Sequence, residues 1–397
     1  MSTRIGIGYS QNRDSRLAGQ EAAKAALVKL EGRRPSLILM FATAGHDQAA
    51  LLSSVRSATG EAPLSGCSAE GVITQSGSDE GSHAVAVMAI ASGEIGFRTL
   101  GARGLSSDSR RCGRELAAGV ERSEKNQLLL LFPDGLMVQS AELFAGLASA
   151  LPGPIPVVGG GSGEMMRFQR TYQYHDGELL SDGVAGLLIE GDFETEIEVS
   201  HGCEVVGTER TVTRAKGGCV FEIDGRPAWS VIKEYLEDDA EDLDALAVSY
   251  ACVAERLAPE AQGEYGPYVI RVPLRLDKST GALFFPGELR QGAKIYMARR
   301  DPERIRRSAV RSAERLAARR AGQTPLAMLH FDCTGRGRLL FGERTSVDSI
   351  APMQRAFGEE LPWLGFHTYG EIAPVLGRLH YHNYTVVLCA IYGRDAR

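Results

Sequence analysis

The stretch Leu128-Leu129-Leu130-Leu131-Phe132, followed by the segment Ser140 to Leu151 and then by Pro156-Val157-Val158-Gly159-Gly160-Gly161-Ser162, decides the fold. Five apolar residues in a row read as a strand buried on both faces. Leu143, Phe144, Leu147 and Leu151 fall at helical spacing and mark an amphipathic helix. The Pro-x-x-Gly element then brings a second short strand to a glycine-rich turn, where the backbone can approach a neighbour or a ligand closely.

The same order recurs on either side. Upstream, Leu37-Ile38-Leu39-Met40-Phe41 precedes a helix from Asp47 to Thr59 that stops at Gly60, and then Pro63-Leu64-Ser65-Gly66-Cys67-Ser68. Downstream, Leu326-Ala327-Met328-Leu329-His330-Phe331 precedes a helix near Val347 to Phe357, and then Pro362-Trp363-Leu364-Gly365-Phe366-His367. Each copy then reaches another apolar strand: Ala84 to Ile90, Val184 to Ile189, or Tyr384 to Tyr392. The expected fold is therefore mixed α/β (α+β), with repeated strand–helix–strand units forming mixed sheets flanked by helices.

Between the copies, Asp14 to Leu30, Ser107 to Val120 and Pro227 to Leu236 read as helices. Thr195 to Val206 and Val220 to Ile223 read as strands. Tyr268 to Pro273 and Gly281 to Phe285 read as antiparallel strands. The acidic stretch Glu237 to Asp244 is the expected boundary region.

The 397 residues carry 44 Lys plus Arg against 50 Asp plus Glu, a net charge of −6, which argues against nucleic acid as a partner. No apolar run approaches the roughly 20 residues of a membrane helix, and MSTRIGIGYS has no signal-peptide core. The seven Cys are odd in number and form no C-x-x-C pair. A disulfide framework or structural zinc site is not expected, and a cytoplasmic location is. The 46 Gly show no three-residue period, which excludes a collagen-like chain.

The chemistry-bearing candidates fall short of known catalytic motifs. Gly159 to Glu164 follows a strand, as a phosphate loop does, but lacks the Lys of a P-loop. Neither Gly160-Gly161-Ser162-Gly163-Glu164 nor Gly66-Cys67-Ser68-Ala69-Glu70 completes G-x-S-x-G. Cys67 and Cys333 follow strands and could face a cleft, and Arg336 beside Cys333 could activate a thiol. The alternative for both thiols is a small buried apolar side chain. Cys112, Cys252 and Cys389 read as core. His380-Tyr381-His382 puts two imidazoles on one side of an extended segment that His367 could approach, so these three are the candidates for a haem or metal; an exposed His pair is the plainer reading. His175, His201 and His330 stand isolated. The Arg series from Arg299 to Arg320, with Ile305, Ala309, Ala313 and Leu316 on one face, reads as a solvated amphipathic helix.

Several of these residues carry a family resemblance: Phe41-Ala42-Thr43 with His46-Asp47, Pro63 to Gly71, Val157 to Ser162, His201-Gly202-Cys203, Cys333-Thr334-Gly335-Arg336, Gly365 to Pro374, and His382-Asn383-Tyr384-Thr385. In order and spacing the chain resembles a FIST protein, with a FIST N-terminal domain over residues 1–222 and a FIST C-terminal domain over 223–397. The chain departs from the family pattern at Gly160-Gly161-Ser162 and His367-Thr368-Tyr369.

The resemblance implies a sensory module of bacterial signal transduction. Its ligand would be an amino acid or similar small anion, and it would act in trans on a histidine kinase or other signalling protein. Haem-dependent nitric-oxide sensing is the family's alternative, and no one His is singled out for it. Ligands of open α/β sheets sit outside the carboxyl ends of strands. The expected ligand-binding residues are accordingly Cys67, Ser68, Gly161, Ser162, Cys333, Arg336, Tyr369, Glu371 and Asn383. Arg336 would hold a carboxylate and Glu371 an amine, or the two would pair with each other. A thiol enzyme using Cys333 with Glu371 and Arg336 is the competing class.

Overall fold

The computed structural model describes residues 3–136, 139–235, 252–262, 265–287 and 289–394; the stretch 237–244, expected as a boundary, lies outside them. The fold is mixed α and β, and each repeat is larger than its sequence signature. In the first unit, strands Arg4–Ser10, Val85–Ala91, Leu37–Thr43 and Leu64–Ala69 lie side by side in that order. The last two are parallel and the other contacts antiparallel. The second unit repeats this with Ile95–Arg103, Gly183–Gly191, Asn126–Pro133 and Val157–Gly160. The third repeats it with Phe193–Ser200, Val386–Gly393, Ala327–Cys333 and Trp363–Thr368.

After its fourth strand each unit sends a hairpin into the sheet of another. Gly71–Thr74 and Gly77–Asp79 of the first unit extend the third sheet. Gln173–His175 and Glu178–Leu180 of the second extend the first. Glu371–Val375 and Arg378–His382 of the third extend the second. The exchange closes on itself, so the three units form one interlocked body.

Burial follows from this arrangement. One face of each sheet meets the other two sheets in a shared core, and the opposite face meets that unit's helices. Phe41, Phe132 and Phe331 occupy equivalent positions in the shared core, with ring centroids 5.3 Å apart for Phe41–Phe132 and 6.2 Å for Phe132–Phe331. Each buried ring of this size stabilises by about 1.5–3 kcal/mol. Covering on both faces is why the middle strands read as unbroken apolar runs. Asp14, Asp47, Asp108 and Asp301 cap helices by accepting their first free amides.

The repeated Pro-x-x-Gly has a steric cause. A Cβ on Gly66, Gly159 or Gly365 would lie 1.8, 2.0 or 1.9 Å from the carbonyl oxygen of Met40, Leu131 or His330 on the neighbouring parallel strand. Glycine is required there by strand packing.

A further antiparallel sheet, running from Glu204–Lys216 to Lys294–Arg299, is inserted in the third unit before helix Pro302–Arg319. That helix buries Ile305, Ala309, Ala313 and Leu316, and its arginines pair with Glu196 and Glu198. The expected boundary at 222/223 falls inside inserted strand Cys219–Ile223. Strand Phe193–Ser200, on its N-terminal side, pairs along its length with Val386–Gly393.

Two local expectations are corrected. The helix near Val347–Phe357 is a π-turn, Ser346–Ile350, followed by Ala351–Gln354, because Pro352 has no amide to continue a regular helix. Pro227–Leu236 is helix Ala228–Ile232 tightening into the 3-10 turn Lys233–Tyr235; Leu236 is outside the described residues. Tyr268–Arg271 and Ala282–Phe284 are antiparallel strands as read from the sequence, the first pairing with Cys252–Arg256 and the second with Cys219–Ile223 and Arg275–Asp277.

Candidate functional site

The three parallel strand pairs end at one place, where their turns are tied by equivalent main-chain bonds. The Glu70 amide donates to the His367 carbonyl at 3.1 Å, the Gly163 amide to Ser68 at 3.0 Å, and the Tyr369 amide to Gly161 at 2.9 Å. Each donor lies seven residues after the unit's Pro and each acceptor five. This ring brings Ser68, Gly161 and Tyr369 together, with Ser162 next to them.

The hydroxyls here serve the backbone. Ser68 donates to Gly163 O at 2.7 Å and accepts from Tyr172 N at 2.9 Å. Ser162 donates to Pro133 O at 2.9 Å and accepts from Gln173 at 2.8 Å. Cys67 points into the shared core, where burial pushes its thiol up. Tyr369 donates to Glu70 at 2.9 Å and accepts from Met166 N at 2.6 Å, strapping the Glu164–Phe168 loop over the ring. Burial pushes Glu70 up to about 7, against the opposing Tyr369 hydrogen bond.

Glu371 and Arg336 do not pair. Glu371 is fully buried, accepts from the Thr368 hydroxyl at 2.5 Å and from Thr385 N at 3.1 Å, and is pushed well above the usual carboxylate range by burial. Arg336 instead binds Asp332 Oδ1 through Nε at 2.6 Å and donates to His201 O at 3.2 Å. Burial and then the neighbouring Glu371 push the Cys333 thiol well up, the reverse of what a nucleophilic thiol needs. Asn383 accepts from Val272 N at 3.2 Å, tying the inserted sheet to the third unit.

The three haem or metal candidates do not converge. His380 and His382 share one hairpin strand, 5.9 Å apart by ring centroids, in the extension of the second sheet. His367 sits in the third sheet. His382 is fully buried, not exposed, with Nδ1 3.2 Å from the Tyr265 hydroxyl and Nε2 3.2 Å from Ala373 O, so both ring nitrogens are engaged. Among the described residues no group of His, Cys, Asp and Glu has the arrangement of a metal site.

The repeat itself marks a polar cluster of which the sequence reading named Arg336 and His367 as candidates but not His330 or Asp332. Register makes Met40, Leu131 and His330 equivalent, and likewise Ala42, Pro133 and Asp332. Ser68, Gly161 and His367 form a third such set. The first two units show that the fold needs only apolar or small residues at these places. The third puts His330, Asp332 and His367 there, all fully buried, with Arg336 beside them.

Burying such groups is costly unless each is paired, and here several are not. Thr334 Oγ1, Arg336 Nη2 and both nitrogens of His367 are buried without a hydrogen-bond partner among the described residues. His330 accepts from the Trp363 indole at 3.1 Å, and its Nε2 stands 3.4 Å from Asp332 Oδ2. Burial raises the Asp332 carboxyl, but Arg336 and then His330 more than offset this and hold it below the usual range. Glu80, from the end of the first unit's hairpin, caps Arg338 N at 2.8 Å and lies 3.9 Å from His367 Nε2. His201 and His330, read as isolated, both belong to this cluster. Its donors and acceptors suit a small polar molecule bearing a carboxylate.

Comparison with known proteins places the chain. The FIST N domain matches residues 36–226 and the FIST C domain residues 228–374. The chain belongs to the FIST family. FIST domains are sensory, small-ligand-binding domains of signalling proteins. An uncharacterized protein of Mycobacterium tuberculosis strain H37Rv is 32% identical over 390 residues, covering 96% of this FIST chain and 98% of the relative. One from Mycobacterium bovis is 33% identical over 391 residues, covering 96% and 97%. Among solved structures, a cyanuric acid hydrolase of A. caulinodans matches 48% of this chain and 71% of its own at 12% identity and a TM-score of 0.26. Among the described residues no helix is long and apolar enough to cross a membrane.

Proposed function

We propose that this FIST protein is a sensor that binds a small carboxylate, an amino acid or similar anion, where strands Ala327–Cys333 and Trp363–Thr368 end, and that it acts in trans on a signalling partner such as a histidine kinase. The observation that carries this reading is the departure of the third unit from its own repeat. Two units fold with apolar or small residues where the third buries His330, Asp332 and His367 beside Arg336. Arg336 Nη2, Thr334 Oγ1 and the His367 ring supply donors without partners, the set a carboxylate would take up. Asp332 offers an acceptor to an ammonium group. The ring bond from Glu70 to the His367 carbonyl joins this place to the first unit, so occupancy can bias the packing between units.

The experiment is a thermal-shift screen over amino acids and small carboxylates, because a ligand that binds only the folded chain raises its midpoint. At least one should raise it for the natural protein and not for Thr334→Val or His367→Phe, variants that retain Arg336 and Asp332. A shift of equal size in both variants would refute the site.

A further inference from the structure

A cleft of about 940 Å³ lies where three parts of the molecule meet: helix Ser140–Ala150 of the second unit, the inserted sheet, and the hairpin strand Arg378–His382 donated by the third unit. That volume falls in the range of small-ligand sites, roughly 300–1,000 Å³. One wall is apolar, built from Phe144, Leu151 and Ile155 of the second unit and Leu379 of the hairpin. These side chains are only partly buried, although they pack against a core cluster.

The other side is basic. Arg271, Arg290 and Arg378 line it against one described acid, Glu255. Arg271 holds Glu255 at 2.7 Å and the Tyr381 carbonyl. Arg290 and Arg378 are exposed at the mouth. His380 lines the cleft with its Nε2 buried and without a hydrogen-bond partner among the described residues. Burial, then Arg271 and Arg378, pull His380 down to about 4, so at neutral pH it presents an uncharged imidazole.

We propose that this cleft is a second binding site, for a small amphipathic carboxylate whose apolar tail lies along Phe144, Leu151 and Leu379 and whose anionic head meets Arg378, with His380 as a hydrogen-bonding partner. An apolar wall alone would accept any oily molecule. Arg378 selects an anion, and the unpartnered imidazole supplies a directional contact. The cleft is separate from the cluster around Arg336, but its floor reaches the carbonyl ring, because Tyr381 donates to Tyr369 O.

The test is calorimetric titration of the full chain with decanoate, with decylamine as the oppositely charged probe. Decanoate is expected to bind and decylamine not to. Arg378→Glu and Phe144→Glu, each retaining the ligand-free thermal midpoint of the natural chain, are expected to weaken decanoate by about tenfold or more, and His380→Leu by a smaller factor. Thr334→Val, which tests the cluster around Arg336, is expected to leave decanoate binding unchanged, so the two sites fail separately. Equal affinity for decanoate and decylamine, no decanoate binding at millimolar concentration, or unaltered binding by both glutamate variants would overturn the proposal.

Discussion

Arg336 Nε donates to Asp332 Oδ1 at 2.6 Å, four residues away along the chain, and both side chains are fully buried. The pair ties the turn that follows strand Ala327–Cys333 back to the strand and leaves guanidinium Nη2 buried without a hydrogen-bond partner among the described residues. Removing one member leaves an unpaired buried charge, which costs about 3–5 kcal/mol. Asp332→Leu and Arg336→Met should therefore each lower the urea midpoint strongly. The double variant should recover much of the loss. Costs that simply add would mean the two groups are not coupled.

The glycines of the parallel strand pairs make a sharper structural prediction. Gly66→Ala, Gly159→Ala and Gly365→Ala each drive a methyl group into a main-chain carbonyl of the neighbouring strand. Each should cost at least about 3 kcal/mol in chemical denaturation. Gly153→Ala, with nothing within 4 Å of the added carbon, should be nearly neutral.

Glu70 gives a pH dependence of defined sign. Its carboxyl is raised from 4.5 to about 7 in the folded chain. Between those values the folded state keeps a proton that the unfolded chain has released, so this contribution is present below about 4.5 and is lost as pH rises through 7. Glu70→Gln removes the titration. The stability of the variant relative to the natural chain should rise between pH 4.5 and 7, by roughly 2–3 kcal/mol at most. A difference independent of pH would contradict the burial that raises the Glu70 carboxyl.

Thiol reactivity separates the sensor from a thiol enzyme. Cys67 and Cys333 are buried and pushed well up, whereas Cys219 is partly exposed. Brief treatment of the native protein with iodoacetamide, read by peptide mass, should label Cys219 first and leave Cys333 unmodified. Fast labelling of Cys333 would favour the enzyme.

The repeat could be read from sequence because its middle strands are covered on both faces and its glycines are sterically compelled. The first strand of each unit was harder to see. Arg4–Ser10 and Ile95–Arg103 are covered unevenly, with exposed and buried residues interleaved. The hairpin exchange could not be read at all, since short strands such as Gln173–His175 do not encode which sheet they join. The meeting of Ser68, Gly161 and Tyr369 could be anticipated because each stands at the end of its unit's fourth strand. His201 meets Arg336 across 135 residues of chain, and nothing local marks that contact. His330 and Asp332 did carry a signal, as polar residues where the other copies are apolar. Aligning the three copies position by position would have found them.

The central claim is that a small ligand enters beside His330 and His367, and side-chain NMR of the histidines tests it most directly. On titration with the ligand found by the thermal screen, the ring resonances of His367 and His330 should shift together and saturate, while those of His175 on the second unit's hairpin stay in place. Saturable binding that leaves His367 and His330 unmoved would contradict the account.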